Sequence, residues 1–126
     1  MIDPIAVGLT KEYIAKQDRD SASPTIWIIG AMDSLTQSKL AFTFMRESEK
    51  SHANENPSFM VVKVGLKGFK NFGSAEFRTE KSTMSSMEDI DVVPDDIIKM
   101  IPLHIIRELS EVIWQENQVT DDLKKN

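Results

Sequence analysis

The chain has 126 residues, 40% of them apolar and 28% charged, a balance that suits one folded domain and argues against wholesale disorder. Its 15 basic and 20 acidic residues leave a formal charge of -5, which disfavours nucleic-acid binding, because that draws most of its affinity from neutralising phosphates. Cysteine is absent, which excludes disulfides, Cys-ligated metals and thiol catalysis, and two histidines leave little for imidazole chemistry.

No run approaches the roughly 18–20 apolar residues that cross a bilayer. The opening Met1-Ile2-Asp3-Pro4-Ile5 also lacks the basic n-region of a secretory signal. Both points predict a cytoplasmic protein with no membrane contact. Residues 9–16 read as extended, with Tyr13 and Ala15 on one face and Glu12, Ile14 and Lys16 on the other. Turn formers follow at 18–24, where Asp18 and Asp20 are turn residues before they are acid–base candidates. The β-branched and aromatic run Thr25-Ile26-Trp27-Ile28-Ile29 suits a strand. These pieces predict an antiparallel hairpin over residues 9–30, which needs a cover for its apolar face.

Ser34 as N-cap with Gln37 three residues on has capping-box spacing, and Leu40, Ala41, Phe44 and Met45 continue an apolar stripe to about residue 50. A polar connection spans 51–56. From Pro57 the run to Phe69 is ambiguous: Met60, Val64 and Lys67 follow helical spacing, whereas the valines and Gly65 equally suit a strand. On the helical alternative Gly68 is the C-terminal stop. Residues 75–80, around Phe77, read as a candidate third strand beside the hairpin, and 81–93 as a loop. Pro94 at the first helical position, with Asp95 and Asp96 behind it, opens a short helix. Beyond Pro102, Ile105, Ile106, Leu109, Val112 and Ile113 mark the clearest amphipathic helix, to about Asn117, and Thr120 can cap one further turn. The expectation is an α+β fold in a single domain, residues 1–126: the hairpin packs on a small helical bundle within 34–126.

Chemical candidates are sparse. Glu88, Asp89, Asp91, Asp95 and Asp96 are hard-cation ligands by type, but an EF-hand counted from Asp89 has Pro94 where glycine is required. They read as a solvated loop followed by a helix start. His104, Glu108 and Glu111 share a face of the last helix and read as its polar side, not as a metal site. Lys63, Lys67 and Lys70, interleaved with Phe69 and Phe72, resemble a single-strand binding pattern, but lysines at this spacing more often line the wet edge of a helix. Gly65-Leu66-Lys67-Gly68 fits no phosphate loop. Met84 and Met87 in the loop are candidates for an adaptable contact surface, and Met45 and Met60 for the core.

Three stretches carry a family resemblance. They are Glu12-Tyr13-Ile14-Ala15-Lys16-Gln17-Asp18-Arg19-Asp20 with Pro24-Thr25-Ile26-Trp27; Val62-Lys63-Val64-Gly65-Leu66-Lys67-Gly68-Phe69-Lys70-Asn71-Phe72; and Ile106-Arg107-Glu108-Leu109 through Val119-Thr120-Asp121-Asp122-Leu123-Lys124-Lys125-Asn126. In order and spacing they resemble small proteins of the tail gene modules of double-stranded DNA phages and prophages, a family that includes tail assembly chaperones. Phe69 stands where that family commonly has Trp, and the 81–93 loop has no counterpart. The resemblance favours helix at 57–66.

It implies a non-enzymatic protein with no cofactor, no catalytic residue and no metal. Its partners would be tail proteins such as the tape measure or tail tube, met in the host cytoplasm or retained in the virion. Self-association is left open. The contact residues that chemistry suggests are Lys63, Lys67, Phe69, Lys70, Phe72, Met84, Met87 and Trp114. The rival expectations are a structural virion component such as a connector subunit, a small metal-dependent enzyme, and a nucleic-acid binder.

Overall fold

The structure, a computed structural model, describes residues 1–50, 57–83 and 87–118, with side chains described for all but 43–50 and 118. The predicted Thr120 turn, the 51–56 connection, Met84, and the Phe44 and Met45 side chains lie outside the described residues. β1 (Thr10–Tyr13) and β2 (Ile26–Gly30) pair antiparallel as the predicted hairpin, with Tyr13 opposite Trp27 and Lys11 opposite Ile29. Their connection makes a 3-10 turn at Lys16–Asp18. It closes where the Asp18 carboxylate accepts the Thr25 amide at 2.8 Å, which is the turn chemistry expected of Asp.

The third strand is not the stretch around Phe77. β3 (Leu66–Lys70) pairs antiparallel with the other edge of β2, giving the order β1-β2-β3. It follows α2 (Pro57–Gly65) without a loop. Both alternatives over 57–69 are therefore realised in succession, and the division falls between Gly65 and Leu66. Gly68 is a strand residue and not a helix stop. Between Ile28 and Ile29 the register shifts, so Lys67 is an extra residue in β3, as in a β-bulge.

Residues 75–79 belong to no strand. The expected 81–93 loop contains pairing of its own: β4 (Glu80–Lys81) meets β5 (Asp91–Val92) in a separate two-stranded sheet. Asp89, with φ 68, lies in the turn from Met87 to Ile90 that leads into β5. The Val93 amide then bonds the Lys63 carbonyl at 2.9 Å and fastens this excursion to α2. Pro94 is the N-cap of α3 (Asp95–Ile98), one place before the expected position, and α4 (Leu103–Gln118) follows Pro102.

α2 and α4 pack against each other and cover the Trp27 and Ile29 face of β2. Met60, Val62 and Val64 of α2 meet Ile105, Ile106, Leu109 and Ile113 of α4 in one buried cluster, joined by Leu40 of α1 (Ser34–Lys50). The arrangement is α+β, with the helices on one face of the sheet. Among the described residues no helix is long and apolar enough to cross a membrane.

The predicted cap of α1 is displaced by one residue. Asp33, not Ser34, accepts the Thr36 amide on its carboxylate at 2.7 Å, while its carbonyl takes the Gln37 amide at 3.0 Å. The Gln37 side chain reaches back to the Met32 carbonyl at 2.8 Å. A carboxylate is the stronger acceptor and also meets the positive end of the helix dipole. The Thr36 amide is the main cause that holds the Asp33 carboxyl below its ordinary range. Asp33→Ala is expected to cost about 1 kcal/mol in urea unfolding. Because the folded-state pKa is depressed, the wild-type advantage is present at neutral pH and fades as pH falls through that lowered value.

Candidate interaction surfaces

The stretch 57–72 does not form one basic face, because the change from helix to strand at Leu66 ends the helical spacing of its lysines. Lys63, on α2, pairs with Asp95. Lys67 lays its stem over Gly30 and donates to the Val64 carbonyl at 3.0 Å. Lys70 pairs with Glu12 across the sheet at 3.1 Å. The aromatic members turn inward. Phe69 and Phe72 stand 5.9 and 5.0 Å from the Trp27 ring, and Phe77 stands 5.4 Å from Phe69. They form a half-buried cluster whose edges and faces largely serve one another.

Asn71 ends this stretch in a left-handed conformation, φ 62. Its side-chain amide donates to the Ser23 carbonyl at 2.8 Å and to the Ser23 hydroxyl at 2.7 Å. Its own carbonyl accepts the Thr25 hydroxyl at 2.7 Å. One residue thus ties the end of β3 to the hairpin loop. Asn71→Ala is expected to lower stability by about 1 kcal/mol, and Asn71→Gly by less, because glycine keeps the backbone free to adopt positive φ.

Three of the five acids, Asp91, Asp95 and Asp96, are distributed among cations. Arg78 grips Asp96 through both carboxylate oxygens at 2.7 and 2.8 Å, and the Asp96 carboxyl is held below its ordinary range by that hydrogen bonding. Asp91 pairs with Lys81 at 3.0 Å. No group of three or more His, Asp or Glu is placed to hold a metal among the described residues. Met87, expected on an accessible loop, is fully enclosed in the core, where β4 and β5 fold it against the helices. It is a packing residue.

On the last helix, His104, Glu108 and Glu111 have separate circumstances. Glu108 accepts hydrogen bonds from the Tyr13 hydroxyl and, at 2.9 Å, from the Lys16 amide. Partial burial opposes its ionisation, but these donors outweigh that and hold its carboxyl below the ordinary range. It is a latch between α4 and the end of β1, a pairing across 95 residues of chain that no local pattern signals.

His104 and Glu111 line a hollow of about 500 Å³ with Lys16 and Arg107. A second hollow, of about 240 Å³ and mainly apolar, lies between α2 and α4 against Pro57, Val61 and Trp114. The two share Ser58, Ser110 and Glu111, and so lie side by side along α4.

Among the described residues, large apolar side chains stand exposed in three places: Met1, Ile2, Ile5, Val7 and Leu9 in the arm before β1, Leu35 and Phe42 on α1, and Met100 and Leu103 at the α3–α4 corner. The arm, β1 and the end of α4 border a third hollow, of about 530 Å³. There Asn117 accepts the Met32 amide at 2.6 Å and donates to the Gly30 carbonyl at 3.3 Å. Comparisons with protein-family models, curated proteins and solved structures gave no match to this chain.

Proposed function

We propose that this protein works by contact with other proteins and without catalysis, as a phage or prophage tail assembly chaperone in the host cytoplasm. The observation that carries this reading is a pair of exposed apolar side chains on one side of α1. Leu35 and Phe42 are 74% and 56% exposed, and a seven-residue separation, close to two helical turns, sets them on one side of the helix. Exposed apolar side chains arranged together on a small acidic fold suit the shielding of an aggregation-prone partner. The resemblance of the three stretches to tail-module proteins supplies the partner class: the tape measure or tail tube.

Co-expression with the tape-measure protein of the same gene module tests the reading. The wild-type chain is expected to keep that protein in the soluble fraction. Leu35→Glu with Phe42→Glu is expected to lower the soluble amount by about tenfold, as loss of an apolar anchor does. Equal amounts with both chains would refute the reading. Mass spectrometry of purified virions separates a chaperone from a structural subunit, because abundant copies in mature tails favour the latter.

A further inference from the structure

We propose that Lys67 is an acylation site, whose ε-amine takes an acyl group from a small activated donor, an acyl phosphate or an acyl thioester. The site does not depend on the tail-assembly reading. Among the described residues Lys11 pairs with Glu116, Lys63 with Asp95, Lys70 with Glu12 and Lys81 with Asp91. Lys67 has no carboxylate partner among them. Its amine donates instead to a neutral acceptor, the Val64 carbonyl, at 3.0 Å. That carbonyl lies in the last turn of α2, where no further helical amide follows to take it.

The bulge in β3 sets this side chain apart from the strand's alternation. Its stem then lies against β2 at Gly30, where an added Cβ would stand 2.6 Å from the Lys67 Cγ and 2.9 Å from its Cε. Glycine leaves the room that the stem occupies, and the packing strips water from one side of it. That loss of water lowers the Lys67 pKa from the ordinary lysine value, while Asp91 and Asp33 pull the other way. Both acids are already engaged, Asp91 by Lys81 and Asp33 by the Thr36 amide. Lys67 is nevertheless an exposed residue. It combines a surface position with a fixed stem and a neutral partner.

In the reaction the unprotonated amine attacks the acyl carbon. An N–C bond forms, and the C–O bond to phosphate or the C–S bond to the thiol breaks. Phosphate or thiolate leaves with the electron pair, and the nitrogen gives its extra proton to water. The resulting amide keeps one N–H, enough for the Val64 carbonyl, and carries no charge. The cost of drying an ammonium therefore disappears. At the lysines paired with carboxylates the same reaction forfeits an ion pair.

The whole protein is incubated at pH 8 with acetyl phosphate or, in a separate arm, with S-acetyl-N-acetylcysteamine. Peptide mass spectrometry follows the acetylation of each lysine. Lys67 is expected to react about threefold faster than Lys11, Lys16 and Lys70, because more of its amine is unprotonated. A preference with one donor alone assigns the site to that donor class. Gly30→Ala, whose methyl displaces the stem, is expected to abolish the preference in a chain that circular dichroism shows to be folded. Acetyl-lysine incorporated at position 67 during synthesis is expected to leave the urea midpoint at pH 7 unchanged or raised. Equal rates in the folded wild type, a preference that survives Gly30→Ala, or a lowered midpoint overturns the proposal.

Discussion

Gly65→Ala is expected to destabilise the fold by about 1–3 kcal/mol, the range for an overpacked core. Gly65 ends α2 where that helix lies against α4, and an added Cβ would stand 2.3 Å from the Ile113 Cγ2 and 3.0 Å from the Met32 Cε. The methionine end can move, but Ile113 is β-branched, fully buried and held by the packing around it. Relief therefore requires the two helices to separate. A double-mutant cycle measured by urea unfolding checks the cause. Ile113→Ala alone is expected to cost about 2–5 kcal/mol. In that background Gly65→Ala is expected to be nearly neutral, because the obstructing methyl has gone. Additive losses would show that close approach is not why residue 65 is glycine.

The second large effect is expected at Asn117. Its side chain satisfies the Met32 amide, the Gly30 carbonyl and, at 2.8 Å, the Ile113 carbonyl of its own helix. Two of those groups lie at the turn from β2 into α1, so α4 fixes that turn from across the molecule. Asn117→Ala leaves a half-buried donor and acceptor unanswered, at an expected cost of about 1–3 kcal/mol. Asn117→Asp gives a sharper test. A carboxylate can accept from the Met32 amide, but it is repelled by the two carbonyls that now receive an amide N–H. Its folded-state pKa should therefore rise above the unfolded value. Relative to wild type, the stability of the variant is expected to be greatest at low pH and to fall as pH rises through the raised value, opposite to the acid sensitivity at Asp33. Chemical unfolding of both proteins from pH 3 to pH 7 reads the sign of the difference.

Much of the secondary structure was legible because it has short-range causes. The hairpin follows from β-branched residues around a turn whose Asp18 caps the next strand, and α4 from an apolar stripe of helical period. The third strand was not legible. Residues 57–69 satisfy both periodicities, and the choice is made by what each half packs against. Val62 and Val64 face α4, whereas Phe69 pairs with Trp27. The residues around Phe77 have strand-like composition, but β3 has already taken the open edge of β2.

The interaction surfaces were legible in type more than in place. Trp114 does line a hollow, yet Lys63, Lys67 and Lys70 are drawn into separate contacts. Met87, a loop residue by local pattern, is packed into the core by the β4–β5 pairing. The latch roles of Glu108 and Asn117 carry no sequence signal, because their partners are supplied by elements 92 and 85 residues away.

By itself the chain determined a fold of α+β class with an amphipathic last helix. These features follow from dihedral preference and from the spacing of apolar residues, which act over a few positions. Tertiary structure decided where the helix at Pro57 gives way to strand, which methionine is core, and which carboxylates become latches. Those outcomes depend on burial and on partners brought together from distant positions, and local propensity is too weak to oppose them. The composition excluded thiol chemistry and disfavoured nucleic acid; the fold then left apolar side chains on the arm, on α1 and in the hollow between α2 and α4, where contact with another protein can be sought.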